Sequence, residues 1–173
     1  LDHLRLLWIT GTSAANPNAA GLITGIWSTY GGGPGAGYMY AAALTLGNNA
    51  FNAAYDNTNG SGLVQWVDGA DIWSSSETIV GNSTADVSIE VDYPQQYIDA
   101  SIWWPESAAG GHNDLDLYVI DPSGTVEASS TSVGSVFEKT RATGGYAGTW
   151  TLRIVGSSVT GSQVVYWGWS AKY

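Results

Sequence analysis

Two different periods of apolar residues divide this chain. Leu4, Leu6, Leu7, Trp8 and Ile9 form a short apolar run with branched and aromatic members, the pattern of a buried strand. Gly11 then permits a tight turn, and beyond it Ala20, Ile23, Trp27 and Tyr30 recur at helical spacing. A glycine-rich loop over 30–37 leads to a second, alanine-rich helical stretch over 38–46. From Ala85 the period becomes two: Val87, Ile89 and Val91 alternate with Ser88, Glu90 and Asp92, as in a half-buried strand. Similar runs over 97–104, 115–120, 133–141, 149–155 and 163–171 are punctuated by Pro-Ser-Gly, Gly-Gly and Gly-Ser turns. Evenly spaced strands without an intervening helix imply an antiparallel β-sandwich or jelly roll. The polar stretch Ser74-Ser-Ser-Glu-Thr suits a linker. The expected organisation is an α/β segment over 1–73, a linker over 74–83 and an all-β domain over 84–173.

The first segment carries a candidate nucleophile. A strand followed by Gly11 delivers Thr12 and Ser13 to a helix N-terminus, where either can cap the helix, and Pro17 falls in or near the first turn. There a hydroxyl is exposed, and free N–H groups with the helix dipole favour a developing oxyanion. The run Gly11-Thr-Ser-Ala-Ala-Asn-Pro-Asn-Ala-Ala-Gly21 resembles the segment that carries the catalytic serine of subtilisin-like serine proteases, with Gly11, Thr12, Ser13, Pro17 and Gly21 at that family's spacing. Asn16 and Asn18 depart from the family's usual small residue and histidine. Asn59-Gly-Ser-Gly-Leu-Val-Gln-Trp-Val-Asp-Gly-Ala-Asp-Ile-Trp73 likewise resembles the turn and short last helix that close such a catalytic domain. The resemblance implies that Ser13 is the nucleophile and that 1–73 is the last part of the domain, its final strand and helices.

The partners of such a serine are missing. A subtilisin-type Asp and His precede the serine in the chain, and only twelve residues precede Ser13. His3 and His112 are the two histidines. His3 lies on the same strand, and an extended ten-residue segment reaches about 30 Å, which excludes a local pair with Ser13. His112 lies in a glycine-rich loop of the later domain, where a solvated histidine is expected rather than a general base. The asparagine that helps to bind the oxyanion in subtilisins has no counterpart upstream. The chain alone is therefore expected to be inert.

The second segment has its own candidate site. In Asp114-Leu-Asp-Leu the period is two, so Leu115, Leu117 and Val119 point inward while Asp114, Asp116 and Tyr118 face out. Two carboxylates about 7 Å apart on one strand face, with Asn113 and Asp121 close in sequence, supply hard oxygen ligands for calcium; the alternative is outward charges paired with Arg141 and Arg153. Trp103, Trp104, Trp150, Trp167 and Trp169 suit core packing better than stacking on a sugar or a partner chain. The run Asn113-Asp-Leu-Asp-Leu-Tyr-Val-Ile-Asp-Pro-Ser-Gly124, with Gly148-Thr-Trp-Thr-Leu-Arg-Ile-Val155 and Tyr166-Trp-Gly-Trp-Ser170, looks like the β-sandwich appended to many subtilisin-like proteases, the P domain or prepeptidase C-terminal domain. That resemblance implies a structural calcium; no cofactor is required.

Composition narrows the partners. The chain has 173 residues, a formal net charge of −10 and no cysteine. Acidity with five Lys and Arg argues against nucleic acid and anionic membranes. No apolar run is long enough for a membrane span, the glycine loop lacks the Lys-Ser/Thr ending of a P-loop, and no signal-peptide pattern is present. Nine Trp, ten Tyr and 23 Gly suit an extracellular or cell-surface protein. Asn59 and Asn82 match the glycosylation acceptor triplet. Two functions follow as expectations. The first is the C-terminal portion of an extracellular serine endopeptidase completed by its N-terminal portion; the alternative is a non-catalytic module that assembles with further copies of itself into an oligomer or filament.

Overall fold

The computed structural model describes residues 12–29, 35–48, 63–64, 70–107 and 110–173. Two helices, α1 (Thr12–Thr29) and α2 (Ala36–Thr45), precede a small ladder of β1 (Gly47–Asn48) and β2 (Leu63–Val64). Eight strands follow: β3 (Ala70–Val80), β4 (Thr84–Val91), β5 (Tyr97–Trp103), β6 (Asp114–Ile120), β7 (Val126–Ser130), β8 (Phe137–Ala142), β9 (Gly148–Ser158) and β10 (Ser162–Lys172). They form two four-stranded sheets ordered β3-β10-β5-β8 and β4-β9-β6-β7, with every pairing antiparallel. The chain changes sheet after each strand except at the β6–β7 hairpin, which is a jelly-roll path. The expected sandwich is present.

Alternation explains how the two sheets close. Ile89 and Val91 of β4, Leu115, Leu117 and Val119 of β6, and Trp150, Leu152 and Ile154 of β9 face Ile98, Ala100, Ile102, Val165, Trp167 and Trp169 of the other sheet in one core. Trp104 and Trp150 are fully buried, so the core-packing expectation holds for them and for Trp167 and Trp169. Full burial of one such aliphatic or aromatic side chain contributes about 1.5–3 kcal/mol. Trp103 faces the other way and stacks on Tyr40 with ring centroids 4.8 Å apart.

The expected linker is a strand. Residues 74–80 lie within β3, which pairs with β10 along its whole length, and 70–73 begin the same strand where a short closing helix was expected. The serines mislead because one face of this strand meets a helix while the other sends Ile79 into the core: the Ser76 hydroxyl lies 3.3 Å from the Tyr38 hydroxyl of α2. A jelly roll also needs this strand as its eighth. The β7 strand was missed as well, because its sequence Val-Glu-Ala-Ser-Ser has no apolar alternation and mostly faces solvent.

Helix α2 lies on the outer face of the β3-β10-β5-β8 sheet, and glycine makes the contact close. A Cβ at residue 168 would lie 2.6 Å from Thr45 Oγ1 and 3.1 Å from the Ala41 carbonyl oxygen. Gly37 meets the Tyr166 ring with equally little space. Thr45 and Ser101 both donate to the Ala41 carbonyl at 2.9 Å and lie 2.7 Å from each other, all of it buried. Lys139 of β8, 3 % exposed, donates its ammonium to the Gly47 carbonyl just past the end of α2. Burial pushes its pKa down to about 8, with Asp99 opposing and Arg141 reinforcing the shift.

Two outcomes follow from this contact. Gly168→Ala should destabilise the fold by about 1–3 kcal/mol, because neither the Ala41 backbone nor the buried Thr45 can move aside; chemical denaturation measures it, and an unchanged midpoint contradicts the packing. Lys139 gives a pH signature. Its folded pKa of about 8 lies below the ordinary 10.5, so the unfolded chain binds more protons between these values and stability rises with pH across that window, by at most about 3 kcal/mol. Melting curves from pH 7 to 10 should show this rise in the wild-type chain relative to Lys139→Met, a difference in which the tyrosines cancel.

Candidate functional site

Helix α1 begins at Thr12, so Ser13 stands in the first turn of an 18-residue helix and Pro17 follows in the next. The first turns of a helix leave N–H groups without intrahelical partners, and Pro17 loses little there. Gly21 has open space around it, so its role as a spacing residue is not a packing requirement here. Gly11, His3 and the expected strand over 4–9 lie outside the described residues, as does Asn59.

The C-terminal half of α1 packs on α2. Ile26 is buried against Ala42 and Leu46, with Leu22, Met39 and Ile72 around them. Beside this contact the two helices leave an apolar groove of about 490 Å3, lined by Ile23, Trp27, Ala36, Met39, Tyr40 and Ala43. Trp27 is 46 % exposed and Tyr40 57 %. The helix pair therefore hides one face on the sandwich and presents another, apolar one. Residue spacing carries no direct sign of the groove, although Ile23 and Trp27 at helical spacing mark one of its walls.

His112 is partly exposed, as expected of a loop histidine, but it is also paired. Its Nδ1 lies 3.1 Å from Glu106 Oε2, and both Glu106 oxygens accept the Asn113 backbone N–H at 3.0 Å. Glu106 thus fixes the loop that enters β6, and His112 serves that loop.

The four residues expected to hold calcium are not brought together. Asp121 lies just past β6, seven residues after Asp114, roughly 23 Å along the extended chain. Its carboxylate closes the β6–β7 turn, accepting the N–H groups of Ser123 at 2.9 Å and Thr125 at 2.7 Å. The Ser123 hydroxyl and these N–H groups hold its pKa below the ordinary value. Asn113 is also engaged, donating to Gln163 Oε1 at 2.8 Å and accepting the Thr160 N–H at 2.8 Å. Asp114 and Asp116 do share the outward face, and neither pairs with an arginine: Arg141 grips Asp99 and Arg153 grips Asp86, each through two bonds of 2.7 Å. Asp116 accepts the Ser157 hydroxyl, whereas Asp114 Oδ1 is buried with no partner among the described residues. Desolvation, then the Asp116 charge, raise the Asp114 pKa. The donor chemistry of this pair fits a hard cation, but the larger set does not, and no group of three or more His, Asp or Glu able to hold a metal occurs among the described residues.

Asn82 is exposed in the β3–β4 turn, its Oδ1 accepting the Val159 N–H at 3.1 Å. Among the described residues no helix is long and apolar enough to cross a membrane. The pattern over 133–141 marks a strand but carries no sign that Glu138 and Lys139 of β8 are buried. Glu138 accepts from the Ser130 hydroxyl and the Ser132 N–H, yet burial still raises its pKa.

No protein-family model matches the chain, and no curated protein does. Among solved structures it is similar to the periplasmic inhibitor of g-type lysozyme from Aeromonas hydrophila, at 10 % identity over 63 % of this chain and 93 % of that one, with a TM-score of 0.42. The Yersinia pseudotuberculosis-derived mitogen matches at 13 % identity over 60 % and 86 % of the two chains, TM-score 0.43. A protein of the disulfide-linked pili on Bacillus endospores matches at 11 % over 60 % and 88 %, TM-score 0.34. Likenesses this distant carry no functional conclusion, and none of the three is a subtilisin-like protease.

Asp114 yields a prediction. A carboxyl whose pKa is raised on folding contributes stability below its unfolded pKa and loses it as pH rises through the folded value. Asp114→Asn should therefore raise the melting temperature at pH 7 in EDTA, with the gain shrinking toward pH 3; a lower melting temperature at pH 7 would show that the carboxylate is already satisfied.

Proposed function

We propose that this chain is the C-terminal portion of an extracellular subtilisin-like serine endopeptidase, with Ser13 as its nucleophile. The supporting observation is the start of α1 at Thr12, which puts the serine of the Gly-Thr-Ser run in the first turn of a long helix, the position such a nucleophile needs. In this reading the N-terminal portion of the protease supplies the Asp, the His and the oxyanion asparagine. The histidine takes the proton as Ser13 Oγ attacks the peptide carbonyl carbon. The C–N bond then breaks, the amine leaves with that proton, and water hydrolyses the serine ester. The apolar groove between α1 and α2 is the seat for that portion, since an exposed Trp27 and Tyr40 beside an open apolar surface call for a cover. The jelly roll, locked to α2, holds the serine helix in place. A calcium ion on Asp114 and Asp116 belongs to this reading, and its mark is a melting temperature that calcium raises in the wild-type chain but not in Asp114→Asn. A glycan on Asn82 is compatible with that residue's exposure.

The same groove supports a second reading, in which further copies of the chain cover it and the protein is a non-catalytic, self-assembling module. One experiment separates the two. The chain expressed with the sequence that precedes Leu1 should be labelled by a fluorophosphonate probe at Ser13, with labelling lost in Ser13→Ala and absent from the 173-residue chain alone. No labelling in the longer protein, together with concentration-dependent association that Trp27→Ser weakens, would overturn the protease reading in favour of assembly.

A further inference from the structure

A second recess lies away from the helices, on the open side of the sandwich. Between the outer strands β3 and β4 a pocket of about 220 Å3 is lined by Trp73, Ser88, Ile89, Glu90, Trp167 and Trp169. Trp73 and Trp169 are register partners on β3 and β10, and Trp167 stands two residues along β10 on the same face. Three indoles thus share one recess, and they are not equally packed. Trp167 and Trp169 are 8 % and 5 % exposed, whereas Trp73 at the rim is 58 % exposed. A tryptophan left this open beside a concave wall has a flat apolar face that no described residue covers.

The polar groups at this place are of a particular kind. Strand β4 is the outer strand of its sheet and, among the described residues, pairs only with β9. Along 88–90, alternate backbone N–H and C=O groups therefore point away from β9 to the side where the pocket opens. The Glu90 carboxylate is already engaged, accepting the Thr149 hydroxyl at 2.8 Å across the β4–β9 pair. The recess offers flat apolar faces, the backbone donors and acceptors of β4 and, at its edge, the Glu90 carboxylate.

We propose that this pocket binds a single neutral pyranose unit of a glycan. A pyranose presents axial C–H groups on one face, which stack on an indole, and hydroxyls at its edge, which both donate and accept. It would use the Trp73 face and the outward backbone groups of β4 together. A quaternary ammonium would use the indole faces and the Glu90 carboxylate, already held by Thr149, but would leave the backbone donors of β4 unpaired. An added peptide strand would use the edge of β4 but requires seats for alternate side chains along it, and one recess supplies one seat. The strongly acidic chain, at −10, disfavours uronic and sialic acids, so the sugar is neutral.

Affinity electrophoresis of the purified chain in native gels containing hydroxyethyl cellulose, xylan, glucomannan or glycol chitin tests the assignment. At least one of these should retard the wild-type chain. Trp73→Ala, which removes an exposed side chain and leaves the core intact, should weaken the retardation at least tenfold. Trp73→Tyr, which restores a stacking face, should recover part of it, and Trp27→Ala on the helices should behave as wild type. Near-ultraviolet circular dichroism establishes that each variant is folded. The assignment is overturned by no retardation in all four gels, by unchanged retardation of Trp73→Ala, by equal loss in Trp27→Ala, or by a tryptophan fluorescence response to tetramethylammonium or a proline-rich peptide with none to the sugars.

Discussion

One shared acceptor organises the joint between helix and sheet. The Ala41 carbonyl receives both the Thr45 hydroxyl, four residues later on α2, and the Ser101 hydroxyl of β5. A buried pair of hydroxyls is costly unless satisfied, and this arrangement is satisfied only when α2 sits at one depth and one angle on the sheet. Gly168 permits that depth, because any side chain on β10 at this point would enter the space that Thr45 and Ala41 occupy. The position of α1 depends in turn on α2, through Ile26 against Ala42 and Leu46. The placement of Ser13 is thus referred back, step by step, to a glycine in a strand more than a hundred residues later.

The β8 strand shows the same economy with charge. Glu138 faces the sandwich interior, Lys139 faces the end of α2, and Arg141 grips Asp99 while lying 4.0 Å over the Tyr97 ring. Buried charges contribute little to stability once their desolvation is counted, but they punish misplacement severely. An outer strand that slid by one residue would exchange Glu138 and Lys139 between faces and strand both. These residues therefore specify register at an edge where the apolar pattern alone would specify it weakly.

Much of the architecture was legible in the chain. Strict alternation at 87–91 and 115–119 announced strands and named the core residues correctly, because a sheet covered on one face by apolar packing imposes that pattern. Residues 70–80 escaped notice since their outer face meets α2 through hydroxyls, so a covered strand has the composition of a linker. Asp121 was misassigned for a geometric reason: nearness along an extended strand is distance in space, whereas Asp114 and Asp116, two apart, do share a face. The helix behind Ser13 was readable from spacing. Its groove was not, because it is a surface between two helices, and the spacing of either helix alone gives no sign of where they part.

The central place of β10 has a temporal meaning as well. It follows the other described strands in chain order, yet it lies between β3 and β5 and forms much of the floor beneath α2. On a ribosome, β3, β5 and α2 are all made before their common neighbour exists. Until it emerges, two strand edges and the underside of a helix stay exposed together, so this half of the molecule closes late and at one stroke rather than growing outward from its beginning. A nascent chain stalled before β10 would present those open edges to whatever else is nearby, and protection of this interval would fall to factors outside the fold.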